Sequence, residues 1–128
     1  MLKKILLIII LVFISLGCIS HFHGEYKVQT IGGQRPINSD VLLKLEDTKI
    51  VFLLNMTFPK INNITIEPVN NITIKNYTIN QDNNTTTITL KILSSDSITH
   101  SLTLFHSVKV AKIIADNKTI IVILAYSN

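Results

Sequence analysis

Beyond residue 24 the apolar positions of the chain recur with a period of two. Tyr26, Val28 and Thr30 alternate with Glu25, Lys27 and Gln29, the pattern of a half-exposed strand. Gly32-Gly33 and Arg35-Pro36 interrupt it. Residues 41–45 and 50–54 are apolar runs divided by Glu46-Asp47-Thr48, a turn composition; the first could form one helical turn capped by Ser39 or Asp40, but its shortness favours a strand. Ile64 and Ile66 alternate with Asn63 and Thr65, and Pro68 closes that strand. The string Asn62-Asn63-Ile64-Thr65-Ile66 returns eight residues later as Asn70-Asn71-Ile72-Thr73-Ile74. That unit is too short for a repeat architecture and reads as two similar strands. Ile72 and Ile74 give way to Tyr77 and Ile79, so parity flips near Lys75-Asn76, as at a β-bulge.

Residues 80–84 form a turn cluster, after which Ile88, Leu90 and Ile92 alternate with Thr87, Thr89 and Lys91. Ser94-Ser95-Asp96 turns again. Residues 98–110 continue the alternation, with a bend or bulge expected near His106-Ser107. The runs 108–115 and 119–126 flank Asp116-Asn117-Lys118, a tight hairpin because Asn117 tolerates a left-handed backbone. Residues 120–124 are apolar on both parities and read as a central strand. No stretch after Gly24 holds a helical period, so the expected fold is all-β: an antiparallel sandwich of about eight strands, Ig-like in type. A small β-barrel is the alternative.

The first residues follow another pattern. Lys3 and Lys4 precede an apolar run, residues 5–16, broken only by Ser15 and ended by Gly17 and Cys18. Its length suits a signal peptide and is short for a membrane span of about 20 residues. Ile14-Ser15-Leu16-Gly17-Cys18 resembles the lipobox of prokaryotic lipoproteins, archaeal ones among them. Gly17 and Cys18 match its strictest positions, whereas Ser15 and Leu16 depart from its usual residues. The resemblance covers residues 1–18 and implies cleavage before Cys18 and a lipid on its thiol. The expected organisation is a signal peptide at 1–17, a lipid-anchored tether at 18–24 and one β domain at 25–128. An uncleaved single-pass signal anchor is the alternative. Cys18 is the only cysteine, so no internal disulfide forms.

Charge changes the picture little. The 14.4 kDa chain carries +4, but without Lys3 and Lys4 ten bases face eight acids. Arg35 is the only arginine and the lysines are scattered, which argues against nucleic-acid binding. Sequons at Asn63, Asn71, Asn76, Asn83, Asn84 and Asn117 are potential glycan acceptors in an exported chain, with Asn55 the poorest because its run is apolar. A strand alternating isoleucine with asparagine and threonine also writes this motif with no glycan in view.

His21 and His23 on the tether, and His100 and His106 on the parity of Ile98, are weak metal candidates, since two ligands without a third make a poor site. No nucleophile-and-base constellation and no phosphate loop stands in the sequence, and no cofactor is expected. The expected function is that of a non-catalytic surface module contacting another envelope protein or a ligand outside the cell. A metal-handling or solute-binding lipoprotein is the rival, and a small extracellular hydrolase the third reading.

Overall fold

The computed structural model describes residues 24–69 and 71–127. The expected signal segment, Cys18, His21 and His23 lie outside the described residues. Eight strands and one helix follow in chain order: β1 (Glu25–Ile31), β2 (Asn38–Glu46), β3 (Lys49–Pro59), β4 (Ile64–Pro68), β5 (Thr73–Gln81), β6 (Thr85–Leu93), α1 (Asp96–Phe105), β7 (Ser107–Ala115) and β8 (Lys118–Ser127). They form two four-stranded sheets, ordered β1-β8-β7-β4 and β2-β3-β6-β5. Every pairing is antiparallel, and neither sheet closes into a barrel. The protein is thus the expected eight-stranded β-sandwich.

The period of two supplies the core. Phe52, Leu54, Met56 and Phe58 of β3 and Ile88, Leu90 and Ile92 of β6 face Val110, Ile113, Ile120, Val122 and Leu124 of the opposite sheet. Each such side chain removed from water contributes about 1.5–3 kcal/mol before entropy is counted. β8 lies between β1 and β7 and buries Ile123 and Ala125 on its other face too, which explains its apolar residues on both parities. The echoed strings lead into β4 and β5, which are edge strands of different sheets.

The turns follow the chemistry of their residues. Gly32 and Gly33 both take positive φ after β1. Asp47 and Thr48 join β2 to β3, and Asp116 and Asn117 join β7 to β8, all four at positive φ, as a two-residue hairpin with the sheet's twist requires. The register of β5 on β6 shifts between Ile74 and Asn76, where the parity flips.

One expectation is overturned. Residues 96–105 are helical, where continued strand was expected. Ile98 and Leu102 are four apart, a spacing that satisfies both a period of two and a helical face, and both are buried. Local chemistry decides between the two. Ser95 has extended backbone and accepts the Ile98 N–H at its hydroxyl, and Asp96 places a negative charge in the first turn. His106 closes the helix in the left-handed conformation (φ 62°), its N–H donating to the Leu102 carbonyl at 3.0 Å. β4 pairs only with residues 111–115 of β7, and α1 packs against the same strand.

Candidate functional site

Strand β2 is an edge that combines outward backbone groups with exposed apolar side chains. β2 ends its sheet, and among the described residues only β3 pairs with it. The direction of its backbone groups follows from register. The Ser94 N–H donates to the Ile50 carbonyl at 2.9 Å, so the backbone of Ile50 turns toward β6. Hydrogen-bonded and non-bonded pairs alternate in antiparallel sheet. Val51, Leu53 and Asn55 therefore bond to Lys44, Leu42 and Asp40. Ser39, Val41, Leu43 and Leu45 then direct their N–H and C=O groups to the free edge.

Side chains divide this edge in two. Along the first half, Ser39, Asp40 and Val41 line a groove of about 570 Å³ with Glu25, Tyr26, Lys27 and Val28 of β1. The Tyr26 ring sits 5.4 Å from Phe52 and 4.9 Å from Tyr126, centroid to centroid, and burial, followed by the neighbouring Tyr126, pushes its hydroxyl pKa up to about 12. The second half of β2 extends beyond this groove. There Leu42, Leu43 and Leu45 are 58%, 41% and 65% exposed, although Leu43 and Leu45 share the inward parity of Val41. Natural edges usually carry charges, proline or a bulge against unwanted pairing. This one carries Asp40 and Lys44 on its outer face together with three exposed leucines.

The end of the strand is held from across the sheet. Glu46 accepts from Lys91 at 2.9 Å and from Lys75 at 3.3 Å, with Lys44 at 3.8 Å. The hydrogen bond from Lys91, then that from Lys75, holds its carboxyl below the usual glutamate range. Asp40 accepts from the Asn55 side chain at 3.2 Å. Asp40, Asn55, Thr89 and Thr78 form one cross-strand row on the outer face, and Asn38, Thr57, Thr87 and Asn80 the next.

The sequence-predicted residues disperse. His100 is exposed on α1 and His106 is the exposed helix cap, so neither lies on the apolar face that strand parity implied. Among the described residues no three His, Cys, Asp or Glu gather as a metal site. Asn83 and Asn84 are exposed between β5 and β6, where Asp82 accepts from the N–H of Asn84 and Thr85; these bonds lower its carboxyl pKa. Asn117 is exposed at the β7–β8 tip. Asn63 and Asn71 precede their strands rather than lying on a strand face, both exposed, and Asn76 is exposed on β5. Asn55 is half-buried and bonded to Asp40 and Thr89.

Two further grooves flank the end of α1. One of about 350 Å³ lies between Ser97, Ser101 and Phe105 of the helix and residues 107–109 of β7; the other, of about 310 Å³, joins Phe105 and His106 to Lys27 and Gln29. Sequence reasoning did not single out the β2 edge. The run of residues 41–45 read only as an apolar strand, and the exposure of Leu42, Leu43 and Leu45 is set by tertiary placement. Compared with known proteins, the chain matches no family model, no curated protein and no solved structure.

Proposed function

We propose that the chain is a cell-surface lipoprotein, held to the outer face of the membrane by lipid on Cys18, whose β-sandwich is a non-catalytic interaction module. The observation that carries the contact surface is the β2 edge, where outward backbone groups of Val41, Leu43 and Leu45 lie beside exposed leucine side chains. Such an edge receives an extended segment by strand addition. Main-chain hydrogen bonds supply affinity, and alternate side chains supply specificity. The anchor rests on the order of Lys3-Lys4, the apolar run and Gly17-Cys18. Exposed sequons at Asn83, Asn84 and Asn117 suit an outward-facing domain.

Two measurements test the two halves of this reading. Cys18→Ser should release the processed chain from the membrane fraction, or leave an unprocessed precursor lacking lipid. A full-length protein that stays membrane-bound with unchanged mobility would assign the anchor to an uncleaved helix. Leu43→Lys with Leu45→Lys should abolish association with the protein that copurifies with the anchored chain. These exposed edge positions should change the melting temperature little. Retention of that partner would move the contact surface elsewhere. Metal titration addresses the rival. Tight, stoichiometric zinc or copper binding, lost when His21, His23, His100 and His106 are replaced, would favour metal handling.

A further inference from the structure

We infer that the segment received by β2 is β2 of a second copy of this chain, paired antiparallel about a two-fold axis at Leu42. The inference rests on β2 being the docking edge, and it names the occupant.

A two-fold axis normal to the sheet keeps each side chain on its own face, so every residue pairs with one of its own parity. Registers that pair five or more residues of β2 place the axis at Asp40, Val41, Leu42, Leu43 or Lys44, and charge separates them. With the axis at Lys44 or at Asp40, that residue meets its own copy. With the axis at Leu43, Asp40 meets Glu46 of the second copy. With the axis at Val41, Lys44 meets Asn38 and no ion pair forms. With the axis at Leu42, Lys44 meets Asp40 of the second copy and Asp40 meets Lys44, so two opposite-charge pairs form by symmetry. Both are exposed on the outer face and stand at non-hydrogen-bonded positions, where opposed side chains approach most closely.

The same register satisfies the other face. Val41 pairs with Leu43 of the second copy and Ser39 with Leu45. These are the residues whose backbone groups face the free edge, and each pair exchanges two hydrogen bonds. The exposed Leu43 and Leu45 then lie over Val41 and Ser39 of the second copy. There they enter the groove that those residues line with Tyr26 and Val28. The apolar half of each edge thus fills the open half of the other, which is the self-complementarity an isologous interface needs.

The test uses the full chain in its membrane and in detergent. Cα atoms of a non-hydrogen-bonded pair are about 4.5 Å apart, within disulfide reach. Leu42→Cys should therefore form a disulfide-linked dimer under mild oxidation, with the wild-type chain as control for Cys18. Lys44→Glu should weaken self-association at least about tenfold by setting Glu against Asp40 of the second copy. Adding Asp40→Lys to that variant should restore it. Crosslinking at Leu42 without rescue by the charge swap would overturn the register. A monomer at every concentration would overturn the second copy as occupant. If Leu43→Lys then still releases a different copurifying protein, the docking edge stands with another occupant; if nothing is released, the edge reading falls as well.

Discussion

Thr86 is the one buried polar side chain among the described residues, and its hydroxyl is fully used. It accepts from the Ile61 N–H at 2.9 Å and donates to the Gln81 side chain at 2.7 Å, while Gln81 donates to the Ile61 carbonyl. The two side chains complete the hydrogen bonding of Ile61 where the chain leaves β3. Thr86→Val keeps the shape and leaves that N–H without an acceptor, so denaturant unfolding should show a loss of about 1–3 kcal/mol. Thr86→Ser should recover most of it. Glu46 makes a prediction about pH. Its folded pKa lies below the unfolded value of about 4.3, so its contribution to stability is present above that pH. The contribution fades as pH falls through the folded value. Glu46→Gln should lower stability near pH 7, converge with wild type at the acid end and so flatten the acid limb of the stability curve. An unchanged acid limb would show that the lysines do not engage this carboxylate in solution.

At the scale of elements, alternation was a sufficient guide wherever side chains divide cleanly between core and water. β1, β6 and the bulge in β5 were legible in that way, and β8 from a run that is apolar on both parities. α1 was not, because Ile98 and Leu102 satisfy both periods and the capping set Ser95-Asp96 also reads as a turn. The β2–β3 hairpin carries a visible compromise. Thr48 is β-branched yet sits at φ 65°, beside Asp47 at φ 51°. Asp47→Asn with Thr48→Gly supplies the residues this turn prefers. The double variant should raise stability by about 1 kcal/mol, or several degrees in melting temperature. A fall would mean that the Thr48 side chain contributes contacts worth more than the strain.

Over the whole molecule, sheet count and layering were readable from the strands, but the pairing of the first strand with the last was not. Register on β3 and the packing of one sheet on the other depend on contacts between distant residues, and these decide what β2 exposes. For that reason the candidate site was the least legible part. Its leucines have the composition of a core strand, and only tertiary placement makes them a surface. The metal candidates His100 and His106, by contrast, are exposed, one on α1 and one at its cap. An anchored sandwich that meets its partner through this edge predicts alternating behaviour along one strand. Residue-resolved hydrogen exchange on β2 tests that most directly, comparing dilute protein in detergent with the chain in its own membrane. Amides of Leu42 and Lys44, bonded to β3, should be protected in both states. Amides of Val41, Leu43 and Leu45 should exchange fast when dilute and slow in the membrane. Equal, fast exchange of these three amides in both states, with the chain still anchored, would contradict the account.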